Sequence, residues 1–219
     1  MAGGKLKVGV LISGRGTNLQ ALIDACADPG FPAVIELVVS NKADAFGLKR
    51  AADAGIPTAV IDHKAYRSRA AFDAAVDEAL RAAGVGFVCL AGFMRILSGD
   101  FVERWRDRLI NIHPSLLPAF KGLDTHQRAI DAGVTITGCT VHFVRPTMDD
   151  GPIIVQAAVP VLPGDDADRL AARILESEHA IYPLALRLIA EGRVRVTGET
   201  TVRRDGAPSA GALINPSPD

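Results

Sequence analysis

Asn111 and His113 stand two residues apart at the end of Leu109–His113, an aliphatic run closed by Pro114. In a strand, side chains alternate between faces, so Asn111 and His113 share one face while Ile110 and Ile112 share the other. An amide donor beside an imidazole at a strand end suits acyl transfer, where a tetrahedral intermediate develops negative charge on the former carbonyl oxygen. The same arrangement also suits a hydrogen-bonded structural histidine. Two carboxylates follow in Met148-Asp149-Asp150-Gly151-Pro152. Acids in such a turn are commonly turn formers. If Asp149 reaches His113, its charge favours the imidazolium, which can hold an oxyanion and give up a proton. Ser115 lies close enough in sequence to His113 to be weighed as a nucleophile.

Ser13-Gly14-Arg15-Gly16-Thr17-Asn18 lies between the first apolar run and the first helical pattern. Free backbone N–H groups and the helix dipole favour an anion at such a junction, and a terminal monophosphate is the best fit. A dinucleotide fingerprint would have glycine at 19, where Leu19 stands, and an acid after the second strand, where Ser40-Asn41 stand. A plain tight turn is the competing reading. Glu178 falls within the apolar stripe of Ala171, Ile174, Leu175, Ile181 and Ala185. A charge there needs a partner: a salt bridge at the edge of the core, or sugar hydroxyls of a ligand. His63, His126, His142 and His179 form no metal-ligand spacing, and no metal is expected.

These residues need a frame. Leu6–Ile12, Val34–Val39, Ala59–Ile61 and Phe87–Leu90 alternate with helical patterns. Strands apolar on both faces, each separated by one helix, predict an α/β fold with a doubly wound, mostly parallel sheet, in which ligands bind beyond the strand C-termini. The rhythm then changes to Leu109–His113, Ile136–Val144 and Ile153–Val159, joined by long loops. A long C-terminal helix is expected from Asp165 toward Glu191, bent or interrupted at Pro183. One domain is expected over 1–203 and a flexible tail over 204–219.

The 219 residues are 48% hydrophobic, enough to bury a full core, and carry a net charge of −1. No basic surface is available for nucleic acid. Cys26, Cys89 and Cys139 are odd in number and widely spaced, which fits a reducing cytoplasm better than a disulfide framework. No apolar stretch is long enough to span a membrane.

The linked segments VLISGRGTNLQALIDA, SNKADAFGLKRA, LAGFMRILS, LINIHPSLLPAF, GCTVHFV, DDGPII and EHAIYPLAL occur together and in this order. In them the chain resembles the phosphoribosylglycinamide formyltransferases, the folate-dependent transformylases of purine synthesis, up to about Gly192. The resemblance implies a Rossmann-like formyltransferase fold and 10-formyltetrahydrofolate as co-substrate. It implies that Gly16, Thr17 and Asn18 bind the ribonucleotide phosphate and that Glu178 also contacts the ribonucleotide. Met94, Arg95, Ile96 and Leu97 would wall the pterin pocket with main-chain polar groups, with a further folate contact from Arg69. Asn111, His113 and Asp149 would act on the transition state, with Asn111 also touching the folate. Small-molecule substrates and a monomer or homodimer are expected. Lys121 and Asp124–His126 depart from the family's pattern.

Formyltetrahydrofolate deformylases use the same Asn, His and Asp core with water as acceptor, but carry an additional N-terminal domain; the glycine turn here starts close to Met1. Methionyl-tRNA formyltransferases would need a further C-terminal domain and a basic surface. A folate or nucleotide binding module without turnover is the non-enzymatic alternative.

Overall fold

The computed structural model of the chain describes residues 4–204 and 215. The chain forms two compact units, one running up to Asn111 with Phe143–Pro146, the other comprising Ile112–His142 and the residues from Thr147 onward.

In the first unit, strands β1 (Leu6–Ile12), β2 (Ala33–Ser40), β3 (Thr58–Val60), β4 (Phe87–Leu90) and β5 (Leu109–His113), whose last two residues count with the second unit, follow the order β3-β2-β1-β4-β5. Every one of these pairings is parallel. Val8 to Ile12 of β1 are all buried, as expected of a central strand covered on both faces. Helices α3 (Arg69–Ala82) and α4 (Gly99–Arg104) close one face: Phe72, Val76, Leu80, Phe101 and Val102 pack with Leu11, Val39, Val88 and Leu109. Ile12 points the other way, towards α2 (Phe46–Asp53), which lies against α1 (Thr17–Ala27). The expected alternation of strand and helix is therefore present, with strand ends within a residue of the sequence reading. Trp105, 2% exposed after α4, donates its Nε1–H to Asp77 Oδ1 at 2.9 Å. Burial pushes the Asp77 carboxyl up, but hydrogen bonds from Arg81, Trp105 and Arg104 outweigh it and hold the group below its ordinary range.

In the second unit, β6 (Ile136–Phe143) and β7 (Ile153–Pro160) pair antiparallel, Phe143 itself counting with the first unit. The helix α6 (Ala167–Ala190) packs against β7 and against α5 (Thr125–Asp131). Asp166, not Asp165, caps α6, its Oδ1 accepting the Arg169 N–H at 2.8 Å. Of the bend or interruption expected at Pro183, the interruption is absent: the helix continues through it. Proline removes one hydrogen-bond donor there, a loss that the buried stripe of Leu170, Ile174, Ile181, Tyr182 and Leu186 outweighs. The chain then turns back in a hairpin of β8 (Val194–Thr197) and β9 (Thr200–Arg203), which the sequence reading did not anticipate. Its two-residue turn places Gly198 at φ 62°, a hairpin conformation that glycine favours. Thr201 Oγ1 and Arg203 Nη2 donate to the carbonyls of Ile153 and Ile154, each at 2.6 Å, fastening the hairpin to β7. The tail expected over 204–219 lies outside the described residues, except Arg204 and Asn215.

Asp165 supplies a pH signature. Arg173 grips its carboxylate with bonds of 2.7 and 2.8 Å, the Leu162 N–H adds a third at 2.8 Å, and together they hold the carboxyl down to about 2. A depressed folded-state pKa stabilises the native state above the unfolded value, about 3.9, and that contribution is lost as pH falls through the folded one. The melting-temperature gap between wild type and Asp165→Asn should therefore be constant above about pH 5 and close towards pH 2. A gap that ignores pH across this window would show that the pair does not couple to folding.

Candidate active site

The second unit brings together His113, at the end of β5, and Asp149, in the turn before β7. His113 is 6% exposed, and its Nδ1 lies 3.5 Å from Asp149 Oδ2. The other ring nitrogen, Nε2, is 3.0 Å from the Phe120 carbonyl oxygen. With hydrogens on both nitrogens, the ring could donate to the carbonyl and face the carboxylate at once, which is the imidazolium form. Asp149 also accepts the Gly122 N–H at 2.9 Å through Oδ2, and its Oδ1 lies 3.9 Å from Nε2 of buried His142. His142 thus joins a cluster in which the sequence reading gave it no part. The only signal was its place on an apolar strand ahead of the acidic turn.

The loop after β5 holds this cluster in shape. Thr140 of β6 receives the Leu117 N–H at 3.0 Å and donates to the Ser115 carbonyl at 2.7 Å; Gln156 of β7 donates to Leu117 O and to Thr140 Oγ1. Buried Ser115 donates its hydroxyl to Ala119 O at 2.6 Å, so the weighed nucleophile is a loop brace. Arg128 of α5 donates to Lys121 O and Leu123 O, and Lys121 pairs with Asp150. Phe120, Asp124 and Asp149 all take left-handed backbone angles, 51°, 55° and 51° in φ. Such angles cost on the order of 1 kcal/mol or more in non-glycine residues, so the surrounding bonds must fix them. Burial pushes His126 of α5 down in pKa, and the nearby charge of His113 adds to the effect, favouring a neutral ring there.

Glu178 is buried in α6, 7% exposed. Burial, with the Glu178 charge adding to it, pushes the Cys139 thiol up to about 12. Cys139 is therefore a protonated, unreactive thiol at neutral pH.

The first unit holds Gly16–Asn18, Arg69, Met94–Leu97 and Asn111. Ser13, just past β1, is buried, Gly14 and Arg15 are exposed, and Thr17 opens α1. Gly16 caps the helix in the left-handed region at φ 70° and no side-chain hydrogen bond caps α1; a helix N-terminus of this kind favours an anion. A Cβ on Gly16 would come within 2.6 Å of the Gly47 Cα, whereas nothing lies within 4 Å of one placed on Gly14. Gly16 thus lets α1 and α2 approach, and its replacement disturbs the fold before it disturbs a ligand. We expect Gly16→Ala to lower the melting temperature markedly and Gly14→Ala to leave it unchanged. Equal melting temperatures for the two variants would contradict this division. Arg69 is exposed at the first position of α3. Met94, Arg95 and Ile96 are exposed and Leu97 is buried in a segment without regular structure. Asn111 is partly buried on β5, two positions before His113.

Among the described residues, no group of three or more His, Cys, Asp or Glu is placed to hold a metal ion. No helix among them is long and apolar enough to cross a membrane.

A mostly parallel α/β protein with a glycine turn after β1 and an imidazole–carboxylate pair following β5 is a doubly wound protein with a candidate acyl-transfer site. The chain belongs to the formyl transferase family, whose pattern matches residues 6–186. It is 48% identical over 191 residues to a phosphoribosylglycinamide formyltransferase of Escherichia coli, covering 87% of this chain and 90% of that one. Over 192 residues it is 57% identical to the trifunctional purine biosynthetic protein adenosine-3 of Bos taurus, covering 88% of this chain; it spans only 19% of that protein's length. The fold is similar to that of glycinamide ribonucleotide transformylase 1 from Symbiobacterium toebii, with a TM-score of 0.90 and 52% identity over 92% of this chain and 95% of that one. A formyltetrahydrofolate deformylase from Burkholderia mallei is similar at a TM-score of 0.84, with 30% identity over 92% of this chain and 71% of that one.

Proposed function

We propose that the protein transfers the formyl group of 10-formyltetrahydrofolate to the glycine amine of 5-phosphoribosylglycinamide, a step of purine biosynthesis. The observation that carries this reading is the buried His113–Asp149 pair at 3.5 Å, in a chain nearly half identical to enzymes named for this activity. In the proposed reaction the substrate amine attacks the formyl carbon, forming a C–N bond and an oxyanion that Asn111 and the His113 imidazolium stabilise. Asp149 keeps His113 cationic and helps pass the amine's proton to the folate nitrogen as the old C–N bond breaks. No covalent enzyme intermediate is needed, consistent with Ser115 being occupied by Ala119.

In this reading Gly16, Thr17 and Asn18 receive the ribonucleotide phosphate, and Glu178 accepts hydrogen bonds from its sugar. Arg69, Asn111 and the segment Met94, Arg95, Ile96 and Leu97 receive the folate. Residues 1–203 act as one catalytic domain. A cytoplasmic monomer or homodimer acting on small molecules, without nucleic acid or membrane partners, completes the reading; three free cysteines are in keeping with that compartment.

The test is to mix the protein with 10-formyltetrahydrofolate, with and without the ribonucleotide, and to follow free tetrahydrofolate and formylated ribonucleotide. The reading expects both products together, and only when the ribonucleotide is present. Tetrahydrofolate released with water alone as acceptor would make the protein a deformylase, and no turnover with either would make it a binding module.

A further inference from the structure

Ser13 is 4% exposed, and its hydroxyl makes two bonds of opposite sense. It donates to Asn41 Oδ1 at 2.6 Å and accepts the Met94 N–H at 2.8 Å. Asn41, buried just past β2, turns its Nδ2 to His63 Nδ1 at 3.2 Å, which fixes which end of the amide faces Ser13. At the other end of the same segment, the Ser98 N–H donates to Asp73 Oδ2 at 2.6 Å. Asp73 lies in α3, only 2% exposed, and its Oδ1 makes no hydrogen bond among the described residues. Keeping a carboxylate there costs desolvation that an apolar residue would avoid, so the bond to Ser98 must repay it.

The segment Met94–Leu97 therefore hangs between two buried side-chain acceptors. It has no strand or helix ladder, and Met94 and Ile96 are 69% and 60% exposed, so packing of those two side chains cannot set its backbone. Leu97 is held in the core at the far end of the segment, and the two hydrogen-bond anchors fix the backbone on either side of the exposed residues. One of them directly precedes Gly14, so the anion turn and the segment share a single hydroxyl.

We infer that Ser13 and Asp73 are positioning residues: they set the main-chain polar groups of Met94–Leu97 for the folate ring, and Ser13 sets that segment's spacing from the phosphate turn. This rests on the function proposed above, which gives the segment its ligand. Neither residue touches substrate in this assignment; each acts through a backbone amide.

The experiment uses the full chain and four variants: Ser13→Ala, Ser13→Thr, Asp73→Ala and Asp73→Asn. Titration with a non-transferable folate analogue should show Ser13→Ala and Asp73→Ala binding about tenfold more weakly, the size expected for one well-made hydrogen bond. Ser13→Thr and Asp73→Asn keep an acceptor and should recover most of the affinity. In turnover, the loss should fall on the KM for folate with kcat little changed, and amide exchange at Met94 and Ser98 should quicken in the respective alanine variants. If an alanine variant melts at a lower temperature but binds the analogue as wild type does, the residue is merely structural and the inference is wrong. Should Asp73→Ala fail to fold, the Ser13 pair decides alone. If wild type itself neither binds the analogue nor turns over, the proposed function falls and takes this inference with it; if wild type does both and Ser13→Ala matches it, only this inference falls.

Discussion

His113→Ala lowers kcat by at least about 100-fold, the usual cost of removing one donor from an oxyanion site. The ring is buried between the Asp149 carboxylate and the Phe120 carbonyl, and alanine supplies no donor in its place. KM for both substrates should move by only a few-fold, because the proposed contacts to phosphate and pterin lie elsewhere, on Gly16–Asn18 and Met94–Leu97. The variant should also lose some stability, roughly 1–3 kcal/mol, because Asp149 keeps its charge with one partner fewer. Steady-state kinetics and a thermal melt separate the two effects. A kcat within tenfold of wild type in a folded variant would remove His113 from the chemistry and return it to the structural alternative.

Asp149→Asn is the companion experiment, and it is cleaner than alanine at this position. Asp149 sits at φ 51°, a region that asparagine tolerates as readily as aspartate, so the backbone is kept. The amide oxygen can still accept the Gly122 N–H that now binds Oδ2. Only the charge is removed, and with it the electrostatic support for a cationic His113. The expected result is a large fall in kcat, again on the order of 100-fold, with both substrate affinities nearly unchanged. Near-normal turnover would make Asp149 a turn residue, and the proton route would then have to run through other groups.

The parts of this molecule that read easily from its sequence are those where neighbours in the chain are neighbours in space. Strands β1, β2 and β4 announce themselves as largely buried apolar runs, and the glycine turn at 14–16 falls between a strand and a helix as read. Asn111 and His113 share a strand. The contact between His113 and Asp149 is different in kind: it spans two strands and depends on a loop whose left-handed angles at Phe120 and Asp124 have no sequence signature. His142 escaped notice for the same reason, since a buried histidine on a strand reads as core. Ser115 looked available because its acceptor, Ala119 O, is supplied by the fold of the loop. The hairpin of β8 and β9 was legible in VRVTGETTVR, where alternating β-branched residues flank a Gly-Glu turn, but the short strands were absorbed into the segment after the long helix. At Pro183, where a bend or an interruption was expected, the helix is not interrupted, because a well-buried stripe can outweigh one missing donor.

The close approach of Gly16 to Gly47 bears on how the turn proposed above to receive the phosphate could be remodelled. A Cβ on Gly47 would meet Ile12 Cδ1 at 2.6 Å and Gly16 Cα at 3.2 Å, so each of the two positions is closed from more than one side. A library built to change acceptor specificity should therefore hold 16 and 47 as glycine and draw its diversity from 14, 15 and 17. Randomising all five would fill the library with clones that fail to fold, and the survivors would report the packing of two helices instead of a preference for a ligand.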